Sequence, residues 1–127
     1  MTTLETAMMQ PVWAVVGATP RREKFGYKIF KRLADCGKTV YPIHSTAKAI
    51  DGICCYRQLE ELPEVPQVVN LVVGPEAGKC VVETCTRIGV RIVWLQPGAD
   101  TPEVVRLAQQ LGIQVICDCV LIQFPAS

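Results

Sequence analysis

Apolar residues in this chain fall into five short, nearly unbroken runs, separated by longer stretches in which they recur every three or four positions. The runs are "VWAVVG" at 12–17, "KTVYPI" at 38–43, "VVNLVVG" at 68–74, "RIVWL" at 91–95 and "IQVIC" at 113–117. Continuous apolarity over so few residues, rich in Val and Ile, is the signature of strands buried on both faces. We therefore read five strands.

The intervening stretches carry the helical period. Ile29, Phe30, Leu33 and Ala34 share one side of a segment whose other side holds Lys28, Lys31, Arg32 and Asp35, and Gly37 ends it. A second helix is expected over 76–88, with Ala77, Val81, Cys85 and Ile88 on one stripe and Gly89 as its stop. A third opens at "DTPE", where Asp100 or Thr101 is placed to cap the free amides and Pro102 enters the first turn. Its stripe is Val104, Leu107, Ala108 and Leu111, ahead of Gly112. Leu4, Ala7 and Met8 suggest a short N-terminal helix, and 56–66 a weak one.

Strands alternating with helices imply right-handed crossovers, hence an α/β fold of three layers with a five-stranded, mostly parallel sheet and helices on both faces. No repeat, linker or low-complexity tract divides the sequence, so residues 1–127 read as one domain. In such sheets ligands bind beyond the carboxyl ends of the strands, where the strand order reverses.

Composition narrows the ligand. With 13 Lys and Arg against 12 Asp and Glu the formal charge is +1, so no global field draws the chain to nucleic acid or to an anionic membrane, and any anion site is local. The opening "MTTLETAMMQ" has no Lys or Arg, and no apolar run approaches about 18 residues, which points to a soluble, cytoplasmic protein. Seven cysteines at irregular spacing, an odd number, read as reduced thiols.

The first strand ends at Gly17, and its helix is expected to begin near Phe25 or Gly26. A Gly-x-Gly-x-x-Gly dinucleotide fingerprint would require glycine two and five positions after Gly17, where Thr19 and Arg22 stand. What remains is the core of a phosphate site: a glycine that admits close backbone approach, the Thr19 hydroxyl, and the positive start of a helix at Gly26 and Tyr27. Arg21, Arg22 and Lys24 add mobile cations; the alternative is a solvated loop whose charges only face water.

The second strand ends in Ile43, His44 and Ser45, followed by Lys48, where an NAD protein usually carries a carboxylate for the ribose. That set tolerates a phosphorylated ribose and points to NADP or coenzyme A. The third and fourth strands end at Gly74–Pro75 and Gln96–Pro97–Gly98, turns that describe a small, neutral-walled groove.

Together "VVGATPRREKFGYKIFKRL", "GKTVYPIHS", "VVNLVVGPE" and "RIVWLQPGA" resemble the small single-domain CoA-binding proteins, whose Rossmann-like fold is also that of the CoA-binding domain in the succinyl-CoA synthetase alpha subunit. The likeness runs from about Trp13 to Phe124. It implies that Gly17, Ala18 and Thr19 touch the pyrophosphate of coenzyme A or an acyl-CoA, with Gly26 and Tyr27 completing the cradle, beside the loop cations Arg22 and Lys24 already read from the sequence. Pro42, Ile43 and His44 would border the adenosine, and Lys48 would meet its 3′-phosphate. Val73, Gly74 and Pro75 would wall the adenine or pantetheine side, with Gln96, Pro97 and Gly98 along the pantetheine path. The chain departs from the family at His44, where Asn is common, and at Cys117 and Asp118, where Asp and Arg are frequent; Cys119 matches.

His44 is the sole histidine, and it has no evident nucleophile beyond Ser45, so the sequence offers no catalytic constellation and reads as a non-catalytic binding module. The cysteines lack Cys-x-x-Cys spacing, and within strands and helices they serve as small hydrophobes. Cys119, near the end of the last strand, is placed to form a mixed disulfide with bound CoA. Two other readings stand beside the first: an NADP-binding oxidoreductase-like protein, and a redox or metal module built on Cys54, Cys55, Cys117 and Cys119. An open edge strand also makes a homodimer an expectation.

Overall fold

The computed structural model describes residues 2–126. Its elements, in chain order, are α1 (Thr3–Met9), β1 (Val12–Val16), α2 (Phe25–Asp35), β2 (Thr39–Ile43), β3 (Ala49–Ile50), β4 (Ile53–Cys54), a 3-10 turn at Leu59–Glu61, β5 (Val68–Leu71), α3 (Pro75–Ile88), β6 (Ile92–Leu95), α4 (Pro102–Gln110), β7 (Gln114–Cys117) and α5 (Val120–Gln123). The main sheet has the order β2-β1-β5-β6-β7, every neighbouring pair parallel. The chain steps outward from β1 to β2, then returns past β1 to β5 and builds in the opposite direction. The order therefore reverses between β1 and β5, and the loops that leave those two strands flank the crevice.

Residues of the central strands β1, β5 and β6 alternate between two buried layers, which is why the sequence shows no polar face there. Trp13, Val15, Val68, Trp94 and Ile116 pack against α2 and α5 through Ile29, Phe30, Leu33, Val120 and Phe124. Trp13 lies 5.6 Å from Trp94, centroid to centroid, and meets Phe124 edge-on at 5.7 Å. Their indole N–H groups are used as well, donating to the carbonyls of Gln10 at 2.8 Å and Asp118 at 2.9 Å. On the other face Ala14, Val69, Leu71, Val93 and Leu95 pack against Val82, Cys85, Val104 and Ala108 of α3 and α4.

The five strands and three main helices stand where the hydrophobic pattern places them, with differences at their ends. The third strand of the sheet stops at Leu71, three residues before Gly74. Val72 still donates to Val16 at 2.9 Å, but β1 has turned away at Gly17, so Val73 and Gly74 have no strand to pair with and become groove wall. The expected cap on α4 is not made: Asp100 accepts from the Gly98 amide at 3.1 Å, and the Thr101 hydroxyl is buried without a partner. Leu111 lies past the end of α4 and is exposed. The helix expected over 56–66 is only the 3-10 turn.

The sequence reading omits two elements. One is the β3–β4 hairpin, turned by Asp51 and Gly52, both at positive φ. The other is α5, which covers Trp13 and Trp94 through Val120 and Phe124. Arg32 of α2 holds it by donating to the carbonyls of Leu121 at 3.0 Å and Phe124 at 2.7 Å.

The seven thiols are all free. Only Cys85 is buried and behaves as a small hydrophobe; Cys36, Cys54, Cys80 and Cys117 are exposed. Cys119 lies beyond β7, as the residue that starts α5, so it shares no strand face with Cys117. Among the described residues no three His, Cys, Asp or Glu gather as a ligand set for a metal, and no helix is long and apolar enough to cross a membrane.

Candidate functional site

At the carboxyl end of β1, Gly17 adopts a φ of +101°, and a Cβ there would stand 2.5 Å from the carbonyl oxygen of Val72. Both features require glycine. The chain then crosses back to start α2, and Gly26 passes so close that a Cβ on it would sit 2.1 Å from the Gly17 carbonyl oxygen. These two glycines let the first turn of α2 lie directly on the loop leaving β1.

That contact leaves backbone donors free. The amides of Ala18 and Thr19 have no hydrogen-bond partner among the described residues. The Thr19 hydroxyl accepts from the Arg21 amide at 3.3 Å, and the Lys24 amide donates to the Arg21 carbonyl at 3.1 Å, which shapes the loop without using those donors. α2 begins with no side-chain cap and no acidic residue in its first turn. By contrast α1 caps itself through Thr2 and Glu5, while α3 and α4 carry Glu76 and Glu103 at their starts. The partial positive charge at a helix start is therefore left uncompensated at α2, beside Arg21 and Lys24. The nearest acid in the loop, Glu23, is held by Arg21 at 3.2 Å.

The corner opens onto a chain of connected cavities along the strand ends. One, of about 480 Å³, is lined by Gly17, Thr19, Arg21, Lys24, Phe25, Gly26, His44 and Val72. It shares Gly17, Thr19 and His44 with a second of about 380 Å³, which adds Val16, Ala18, Ile43, Ser45, Arg57 and Val73. A third, of about 290 Å³, continues past Val16, Ile43 and Arg57 toward Leu59, Cys80, Val81 and Thr84. In the other direction Val72 and Val73 lead to one of about 250 Å³ beside Gly74, Pro97, Gly98 and Ala99.

His44 is fixed at the centre. Its Nδ1 accepts from the amides of Thr46 at 3.0 Å and Ala47 at 2.8 Å, so the neutral ring carries its proton on Nε2. No hydrogen bond among the described residues uses that Nε2–H, and His44 lines both adjoining cavities.

Of the residues singled out in the sequence, Gly17, Ala18, Thr19, Lys24, Gly26, Ile43, His44, Val73, Gly74, Pro97 and Gly98 line these cavities. Six do not. Arg22 pairs with Asp51 at 3.5 Å and lies over the Tyr27 ring. Tyr27 is buried, and its hydroxyl donates to Asp51 at 2.7 Å, a bond that holds the phenol above its usual pKa. Pro42 is buried within β2, and Pro75 starts α3. Lys48 is exposed, its carbonyl accepting from Cys55 at 2.9 Å. Gln96 is turned inward: its Oε1 accepts from Asn70 at 3.1 Å and from the Val120 amide at 2.9 Å, and its Nε2 donates to the Cys119 sulfur at 3.4 Å.

Arg57 is a cationic groove residue that the sequence does not point to. Tyr56 docks on the edge of β2, donating to Pro42 at 2.9 Å and accepting from His44 at 2.9 Å, and so brings Arg57 beside Ser45.

A family model described as the CoA binding domain matches residues 11–125. The chain belongs to the CoA-binding domain family. The chain is 27% identical over 114 residues to the alpha subunit of acetate–CoA ligase (ADP-forming) II of Pyrococcus furiosus, a match covering 81% of this chain and 25% of that one. The chain thus spans about a quarter or less of the curated ligases it matches. Among solved structures, a conserved hypothetical protein of Pyrococcus furiosus superposes with a TM-score of 0.82 at 32% identity, over 88% of this chain and 97% of that one. The dinucleotide-forming acetyl-coenzyme A synthetase 1 of Ca. Korarchaeum cryptofilum superposes with a TM-score of 0.73 at 26% identity, over 85% of this chain and 26% of that one.

Proposed function

We propose that this domain binds coenzyme A or an acyl-CoA, with the diphosphate at the Gly17–Gly26 corner. The observation that carries this reading is the set of free amides at Ala18, Thr19 and the start of α2, opening onto one groove with Lys24 and no first-turn carboxylate. Fixed N–H dipoles replace the water around a diphosphate without reorganising, and the helix start favours the charge. The adenosine would run past Ile43 and His44, whose Nε2–H is free to donate, with the base in the apolar cavity between Ile43, Leu59 and Val81. The pantetheine arm would leave the other way, along Val73, Gly74, Pro97 and Gly98.

Calorimetric titration with CoA, acetyl-CoA, NADP and NAD at one salt concentration tests this. CoA and acetyl-CoA are expected to bind, and both more tightly than either nicotinamide nucleotide. Preference for NADP would replace this reading with the oxidoreductase-like one.

A further inference from the structure

Every cation near the corner except two is spent on a carboxylate or lies away from the cavities. Arg21 pairs with Glu23, Arg22 with Asp51 and Arg87 with Glu60. Lys48 lines none of the four cavities. Lys24 remains at the diphosphate corner, and Arg57 remains beyond it.

Arg57 occupies a particular junction. It lines the cavity that holds Gly17, Ala18 and Thr19 and also the cavity that runs between Ile43, Leu59 and Val81. Only Val16, Ile43 and Arg57 line both. A ribose joining a diphosphate in the first to a base in the second must pass this point. The guanidinium is positioned there: one of its nitrogens donates to the Ser45 carbonyl, its own amide donates to Glu61 at 2.9 Å, and it belongs to no ion pair among the described residues. Glu60, the acid that lines the cavity between Ile43, Leu59 and Val81, is engaged by Arg87 at 3.3 Å. An arginine held by one donor keeps the rest of its planar fork for a phosphate, which it grips in two-point fashion.

We infer that Arg57 is the residue that reads a phosphate monoester on the ribose, and that Lys48, the cation the sequence put in that role, does not. This rests on the proposed cofactor reading, and the shared chemistry is a ribose phosphate, whether the 3′-phosphate of CoA or the 2′-phosphate of NADP.

The test compares CoA with 3′-dephospho-CoA, and NADP with NAD, against the wild type, R57Q and K48Q at fixed salt. A charge-assisted contact of this kind corresponds to about ten- to a hundredfold in affinity. Wild type and K48Q are expected to favour CoA over dephospho-CoA by that factor. R57Q is expected to bind both alike, with dephospho-CoA affinity as in the wild type, while R57K restores part of the preference. A parallel loss of NADP over NAD selection without CoA binding would assign the same contact to the other phosphate. Retained discrimination in R57Q would overturn the inference, as would an equal loss of CoA and dephospho-CoA, which would make Arg57 a strut for the Ser45 loop. Failure of the wild type to bind any of the four overturns the cofactor reading itself, and the inference with it.

Discussion

Gly26 and Gly17 meet so closely that one methyl group on the first would lie 2.1 Å from the carbonyl oxygen of the second. The neighbour is backbone and cannot rotate aside, so G26A must push α2 off the loop. A loss of about 1–3 kcal/mol in unfolding free energy is expected, as for an overpacked core, along with loss of CoA binding. Urea denaturation and calorimetry read the two effects. A G26A protein of wild-type stability and affinity would show that the corner does not depend on this contact.

Lys24 is exposed at the start of α2 and lines the groove. A mobile surface cation acts through a screened field. K24Q is expected to weaken CoA binding only a few-fold at low salt, an effect that shrinks as salt rises, whereas the free amides keep their contribution. Titrations across salt concentrations separate the two.

Gln96 illustrates what a sequence shows and what it hides. Next to Pro97 and Gly98 it reads as one more turn residue on the groove, yet it is 4% exposed and spends its amide on Asn70, Val120 and Cys119. Q96A is therefore expected to destabilise the fold by about 1–3 kcal/mol for each group left unpaired, while folded Q96A binds CoA nearly as the wild type does. Denaturation and titration of the same sample check both halves.

The three central strands, β1, β5 and β6, were legible because both of their faces are buried, so their length is almost wholly apolar; the edge strands β2 and β7 keep enough Val and Ile to show beside their exposed Thr39 and Gln114. Gly17 and the α2 start were legible for a local reason, a glycine and a helix terminus close together in sequence. Arg57 was not, because its place depends on Tyr56 docking against β2, a contact that leaves no local trace. The β3–β4 hairpin did leave one, the Asp51–Gly52 pair, a favoured two-residue turn. The buried amide of Gln96 depends on α5, whose four residues are too few to show a period.

Burial sorts the thiols. Cys85 is buried and its thiol is pushed up to about 12, while Cys36, Cys54 and Cys80 are exposed. Iodoacetamide at mild alkaline pH should label those three in the folded protein and leave Cys85 untouched, as read by mass spectrometry. Cys80 also lines the cavity proposed for the base. Saturating acetyl-CoA should slow its labelling and leave that of Cys36 unchanged.

Tyr41 packs edge-on against Tyr56 and donates to Glu64 at 2.5 Å, a bond that raises its pKa from 10.0 to about 12. The folded state prefers the protonated phenol, so this contribution is complete below the usual tyrosine value and is lost as pH climbs through about 12. Between those limits the wild-type urea midpoint should fall more steeply with pH than that of Y41F. Parallel slopes would show the bond to be without consequence in solution.

The most direct measurement is the backbone amide spectrum of the labelled protein as CoA is added. The amide resonances of Ala18, Thr19, Gly26 and Tyr27 should shift together and saturate with one dissociation constant, with those of α4 unmoved. Saturable CoA binding that leaves these four resonances in place would put the diphosphate elsewhere and contradict the assignment of this corner.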